Sequence, residues 1–302
     1  MTMNRKIQII AAPSILGLKP AGVEQLANAL LNTGRLHKLK PVEPLVEVPT
    51  LNARYNKQRD PKTKCLNPAA IRDFSKVLMS HMAEQLDKAN FPLVLGGDCS
   101  ILIGIMPALK AKGNFGLVFL DAHADFYEPE RSTTGELADM ELAMVTGRGP
   151  GILTDIDNLK PYVEDKKVIQ IGQRDAEQTK EYGSQDIRET GIKVVDLATI
   201  RSAGLDKTMD EVIKYMDGLQ LDGFWMHFDT DVISDDENPA VDYRLPGGLT
   251  FKEAEQLLQQ LVHTGKITGI SVTIFNPALD KSGEIAIKIT DCLVAGLSKI
   301  SR

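Results

Sequence analysis

The residues best suited to chemistry fall in three short clusters. Asp121-Ala122-His123-Ala124-Asp125 follows an apolar run. In extended chain, positions two apart point the same way, so Asp121, His123 and Asp125 converge on one side of a strand end. Carboxylates so close repel one another and raise a pKa unless a cation intervenes. Asp229-Thr230-Asp231 repeats the spacing far downstream, with Asp235 just beyond. Gly96-Gly97-Asp98-Cys99-Ser100 forms a third polar cluster after another apolar run. A lone Asp-x-Asp is commonly a solvated turn or a helix cap, and a lone buried histidine is commonly a satisfied core residue. Four carboxylates and an imidazole at two strand ends instead suit hard or borderline divalent ions such as Mn²⁺.

Such clusters need strand ends to hold them. Short β-branched runs predict strands over residues 7–11, 44–48, 92–95, 116–120, 167–171, 193–195, 224–228 and 267–273. Apolar spacing of helical period predicts helices over 21–31, 67–86, 101–110, 208–216, 251–262 and 284–300. The alternation implies an α/β fold with a mostly parallel sheet covered on both faces. In such sheets ligands bind beyond the carboxyl ends of the strands, where the three clusters lie. Residues 126–139 are polar and lack periodicity, which marks a functional loop. No repeat or linker-like stretch divides the chain, so residues 1–302 read as one domain.

Composition narrows the class. The 302 residues carry 43% apolar and 25% charged side chains and a net charge of -6. No Lys/Arg block points to nucleic acid. No apolar run is long enough for a membrane span, and the first residues lack a secretory pattern. Cys65, Cys99 and Cys292 are widely spaced and read as free thiols in a reducing, cytoplasmic setting.

Gly96-Gly97-Asp98-Cys99-Ser100, Asp121 to Asp125 and Phe228-Asp229-Thr230-Asp231 with Asp235 occur in the order of the three signatures of arginases, agmatinases and formimidoylglutamases, and the chain resembles that family. Ile171-Gly172-Gln173-Arg174-Asp175 and Phe275-Asn276-Pro277 resemble two further landmarks. The resemblance implies a three-layer α/β/α fold, commonly a trimer or hexamer, though a dimer is also allowed for here. It implies two Mn²⁺ per chain, with Asp121 and Asp229 shared, Cys99 and Asp125 completing one position, and His123 and Asp231 the other. It implies attack of a metal-bridging hydroxide on a guanidinium or amidine carbon, with Asp125 orienting the nucleophile.

The departures are as informative. Cys99 stands where the family has histidine, and a thiolate shifts metal preference toward Zn²⁺ or Fe²⁺. It is read as a ligand, against the alternative of a buried apolar thiol. Gly-Gly-Asp-Cys-Ser, Ala124 to Tyr127 and Asp242 to Leu249 together resemble a cysteine-bearing branch. Tyr127 replaces an asparagine that helps arginases hold an amino acid. Thr134-Gly135-Glu136-Leu137-Ala138 replaces a stretch ending in a proton-shuttling histidine, leaving Glu136 and Asp139 as the nearest titratable substitutes. Ile274 replaces a glutamate that pairs with the guanidinium. Glu177 lies where arginases bind the substrate ammonium. Tyr127, Thr134, Glu136, Glu177 and Ile274 are therefore the expected substrate contacts. His227, two residues before Asp229, points either into the same site or into packing under the sheet. His37, His81 and His263 read as ordinary residues. The expected activity is hydrolysis of a C–N bond in a small guanidino- or amidino-type compound, by an enzyme other than a true arginase. Two alternatives are an amide hydrolase on the same scaffold and a non-catalytic relative that binds metal or a nitrogenous ligand. Metal content and turnover of a guanidino panel separate the three.

Overall fold

A computed structural model describes residues 5–300. Eight strands form one sheet, β1 (Ile7–Ala11), β2 (Val42–Glu47), β3 (Phe91–Leu95), β4 (Phe115–Leu120), β5 (Val168–Ile171), β6 (Lys193–Val195), β7 (Gly223–Asp229) and β8 (Ile267–Thr273). Their order is β2-β1-β3-β8-β7-β4-β5-β6, and every pairing is parallel. A parallel sheet buried on both faces needs apolar residues at both parities. Leu93, Leu95, Val118, Leu120, Phe224 and Met226 pack toward one face, with helices Leu205–Gly218, Phe251–His263 and Glu284–Gly296. Val94, Leu117, Phe119 and Trp225 pack toward the other, with Pro68–Asp87 and Leu102–Lys110. The sheet is covered on both faces, as the alternation implies, and the result is the three-layer α/β/α architecture that the family resemblance implies.

The arrangement opens a crevice at the sheet's centre. The helices that follow β3 and β4 lie on one face, and those that follow β7 and β8 lie on the other. These four strands are neighbours, in the order β3-β8-β7-β4. Their outgoing loops therefore part above the sheet, as at a topological switch point. Leu120 pairs with Phe228 and Asp229 with Thr273, which sets Asp121 beside Asp229 across adjacent strand ends.

Element boundaries differ from the sequence expectations where glycine intervenes. The helix expected over 21–31 begins at Leu26, after Gly22 at φ 129° and a 3₁₀ turn at Val23–Gln25. The last helix ends at Gly296 rather than reaching residue 300, and a Cβ at Gly296 would stand 2.6 Å from Leu258 Cβ. Helices Glu141–Val145, Gly151–Thr154, Ala176–Glu181 and Leu197–Ala203 are too short to repeat a helical apolar pattern, and the sequence pattern missed them.

Gly97 joins the loops after β1 and β3. A Cβ there would stand 1.9 Å from the Ser14 carbonyl oxygen, which also accepts the Asp98 amide at 3.0 Å. The Gly97 carbonyl accepts the Ile274 amide at 2.9 Å. We expect Gly97→Ala to cost about 1–3 kcal/mol through overpacking, read as a lower urea midpoint at unchanged slope. An unshifted midpoint would show that these loops move apart freely.

Candidate metal centre

Backbone geometry at each strand end aims the acidic side chains. Asp121 Oδ1 accepts the His123 amide at 2.6 Å, and Asp229 Oδ1 accepts the Asp231 amide at 2.8 Å. Asp231 Oδ1 accepts the Ala122 amide at 3.1 Å and so ties the β7 loop to the β4 loop. Asp125 adopts φ 45°, and its carbonyl accepts the amides of Leu142 and Ala143 at 3.1 and 3.2 Å. The helix Glu141–Val145 thus fixes the Asp125 backbone. Asp98 caps the turn that carries Cys99, accepting the Ser100 amide at 2.8 Å.

These constraints bring the ligand-type atoms together. Atoms of Asp121, His123 and Asp125 lie within 4.8 Å of one another, as do atoms of Cys99, Asp121, His227 and Asp229. His123 Nδ1 is 2.9 Å from Asp231 Oδ2 and 3.6 Å from Asp121 Oδ1. Cys99 Sγ donates to Asp229 Oδ2 at 2.8 Å and to the Thr273 hydroxyl at 3.1 Å as alternatives.

The electrostatics are those of a site short of positive charge. Burial, reinforced by Asp231, raises the Asp121 carboxyl to about 7. Burial and Asp121 push Asp125 well up, and burial, Asp231 and Asp121 do the same to Asp229. Burial opposes the charge on Asp231, but His123 outweighs it and holds that carboxyl below its usual value. Burial likewise works against charge on His123, and Asp231 and Asp121 overcome it. Burial and Asp229 hold the Cys99 thiol well above its usual range. Asp121 Oδ2 is buried and has no hydrogen-bond donor among the described residues. A buried acceptor without a donor, amid carboxyls that cannot all ionise, is the environment that divalent cations satisfy. The donor set of carboxylate, imidazole and thiol fits such ions.

Above the cluster lies a cavity of about 400 Å³. His123, Asp125, Asp229 and Asp231 reach it from below, and Tyr127, Thr134, Glu136, Ala138, Asp139 and Ile274 line it. Glu177 is exposed and off the cavity wall, where Asp175 and Gln178 stand. Ile274 has φ 72°, and Phe275 N donates across it to Thr273 O at 2.9 Å, as in a γ-turn. That conformation is strained for a β-branched residue. Ile274 is held there by the Gly97 carbonyl and by packing with Leu18, Val241 and Cys99.

Several residues with a part in the site escaped the sequence reading. Glu141 is fully buried, its carboxyl meets that of Asp125, and neither of its oxygens has a donor among the described residues. Tyr243 donates to Glu136 Oε2 at 2.7 Å. Arg174 and Asp175 belong to a landmark whose sequence alone assigns them no role. Arg174 Nη2 donates to the Asp231 carbonyl at 2.9 Å, and Asp175 Oδ2 accepts the Ala124 amide at 3.2 Å. The β5 end therefore braces both metal-facing loops.

With this geometry in place, the comparisons with known proteins are decisive. The model of the arginase family matches residues 5–297. The chain belongs to the arginase family. Among family members, the arginase of Bacillus caldovelox is 30% identical over 288 residues, covering 93% of this chain and 94% of that one. The arginase of Staphylococcus aureus strain COL is 29% identical over 295 residues, 95% of each chain. The native structure of the Bacillus caldovelox arginase superposes with a TM-score of 0.88 at 28% identity, covering 97% of this chain and 98% of that one. Membership in the arginase family makes this a metal-dependent hydrolase of C–N bonds.

Asp139 gives a pH test. It is not among the expected metal ligands, and burial raises it to about 7. An unfolded aspartate titrates near 3.9 (about), so the fold favours the neutral carboxyl. Stability from this preference is complete below about pH 4 and is lost as the pH rises through about 7. Asp121 acts in the same direction. Metal-free protein should therefore melt at progressively lower temperature across that window. Asp139→Asn should remove part of the slope and saturating Mn²⁺ another part. A flat metal-free profile would contradict this assignment.

Proposed function

We propose that this arginase-family protein is a dinuclear hydrolase that opens a C–N bond of a small guanidino- or amidino-type compound, and that L-arginine is not its physiological substrate. The observation that supports this most is the cavity over the acidic cluster, with Ile274 where a carboxylate would face a guanidinium and Ala138 where a histidine would shuttle protons. Asp121 and Asp229 would be shared by two cations, Mn²⁺ being the family's usual ion. Cys99 and Asp125 would complete one position, and His123 and Asp231 the other. Two divalent cations held there bring water to a reactive ionisation near neutral pH.

The chain's own residues supply the rest. Asp125, at the cavity floor, accepts a hydrogen bond from the attacking water and orients it. Leu18, Ala138 and Ile274 form an apolar wall beside the cluster, which suits a neutral or weakly polar group at the reacting carbon. Glu136 and Asp139, both on the cavity wall, would supply the proton that the departing amine requires, and Tyr243 donates a hydrogen bond to Glu136. Tyr127 and Thr134 shape the same space. Tyr127 is bulkier than asparagine and narrows the place for an amino acid's carboxylate. Glu136, Asp175 and Asp242 can receive a cationic substrate end farther out. The apolar wall also keeps a second reading in view, hydrolysis of an amide-type compound at the same centre.

Two outcomes follow. Leaving a buried guanidinium unpaired typically costs about 3–5 kcal/mol, roughly two to four orders of magnitude. With Mn²⁺ saturating, kcat/KM for L-arginine should fall short of an ordinary arginase by at least about a hundredfold, while a panel of smaller guanidino, amidino and amide compounds gives measurable urea, ammonia or amine. Arginine turnover within about tenfold of an arginase would reject this substrate reading, and Ile274→Glu should gain weak activity on guanidino compounds.

Cys99 provides the second. It is buried beside Asp229, so bound metal should protect it from thiol reagents and chelation should raise its labelling about tenfold or more. Cys65 and Cys292 should label alike in both states, as followed by peptide mass spectrometry. Equal labelling of Cys99 with and without metal would remove it from the ligand set.

A further inference from the structure

β7 carries Trp225, His227 and Asp229 at alternate positions, so they share one side of the strand. Asp229 reaches the acidic cluster, and His227 lies one step beneath it, fully buried. Its ring nitrogen, Cys99 Sγ and carboxylate oxygens of Asp121 and Asp229 all lie within 4.8 Å of one another. This grouping differs from the six residues carried over from the family, because its imidazole comes from within a strand.

The ring is held firmly in place. It stacks on Phe119 with centroids 5.0 Å apart and planes 12° apart. Nδ1 is 2.9 Å from Ser271 Oγ, which accepts Trp225 Nε1–H at 3.0 Å. Nε2 is left with a long 3.4 Å approach to the Thr273 hydroxyl, the same hydroxyl that lies 3.1 Å from Cys99 Sγ. Metal-bound histidines commonly tie their other nitrogen to a hydrogen-bonding partner, which fixes ring and tautomer. Ser271 is such a partner, and it leaves Nε2 toward the thiol.

We propose that His227 supplies an imidazole ligand to the deeper half of the metal centre, joining Cys99, Asp121 and Asp229 in a site that favours a borderline cation such as Zn²⁺ or Fe²⁺ over Mn²⁺. Thiolate, imidazole and carboxylate are the donors zinc takes, in a compact four-ligand shell. The family's imidazole at position 99 is thereby exchanged for one rising from the strand below. His227 thereby takes the place given above to Asp125, whose carboxylate groups instead with Asp121 and His123, and the outer half, with His123, Asp125 and Asp231, keeps nitrogen and oxygen donors suited to Mn²⁺. The inference rests on the metal-centre reading above and can fail separately from it.

The full-length protein, stripped of metal, provides the test. In the wild type, long-range ¹H–¹⁵N NMR should show the His227 Nε2 resonance moving to the metal-bound range during Zn²⁺ titration. Equilibrium dialysis with elemental analysis should find two divalent ions per chain. His227→Asn should weaken Zn²⁺ at one position by at least about tenfold while Mn²⁺ uptake at the other persists. An imidazole at position 99 would enter the volume the His227 ring fills, so Cys99→His alone should bind poorly. Cys99→His with His227→Ala should recover the second ion, now with a preference moved toward Mn²⁺. A wild type that binds two ions while the His227 resonances stay fixed, or a His227→Asn variant that matches it in Zn²⁺ affinity, would overturn this inference alone. A wild type that takes up neither Zn²⁺ nor Mn²⁺ would overturn the metal-centre reading as well.

Discussion

Five carboxyl groups, those of Asp121, Asp125, Glu141, Asp229 and Asp231, are buried together at the centre of this molecule. Burying an ionised carboxylate without a counter-charge costs several kcal/mol in an effective protein interior (roughly). Against the five stand the imidazole of His123 and, behind the backbone, the guanidinium of Arg174. The deficit shows in the titration of Asp121, Asp125 and Asp229, which burial and mutual repulsion drive upward. The surrounding fold does not relieve this repulsion. It aims the carboxyls at one another with backbone amides from Ala122, His123 and Asp231. Such positioning suits cations held between the oxygens, and without them part of the cluster keeps its protons.

Much of this was legible in the sequence because it depends on period and residue type. Asp121, His123 and Asp125 recur every second residue, and so do Asp229 and Asp231, so their convergence could be read without coordinates. The strand runs were similarly plain, since a parallel sheet buried on both faces writes them as continuous apolar segments. What could not be read depends on register between distant strands. Nothing local to Gly223–Asp229 tells that His227 meets Cys99, because that contact is set by β7 lying two strands from β3. Glu141 was hidden for a related reason. It sits in a five-residue helix too short to repeat a helical pattern, and its approach to Asp125 depends on two amides folding back onto the Asp125 carbonyl. Glu177 lay one position from the residue that lines the cavity, Gln178, and a helical turn of about 100° per residue decides such cases.

The wall of the cavity illustrates how local strain and specificity coincide. Ile274 adopts a backbone conformation that branched side chains avoid, and strained residues of this kind persist where the surroundings over-determine them. Here the Gly97 carbonyl and the apolar group of Leu18, Val241 and Cys99 provide that constraint. The same conformation directs the isoleucine side chain to the cavity rim beside the acidic floor. Within one turn, the chain thus presents an apolar side chain to the cavity where the family resemblance implies a carboxylate.

Trp225 is the only tryptophan in the chain. It reaches Ser271, and through Ser271 it reaches His227, so the indole stands two hydrogen bonds from an imidazole that lies beside the acidic cluster. An indole's emission responds to the electric field along its ring, and no second tryptophan dilutes the signal. The fold thus contains its own optical probe, in which the colour of fluorescence reports the charge resident at the heart of the sheet.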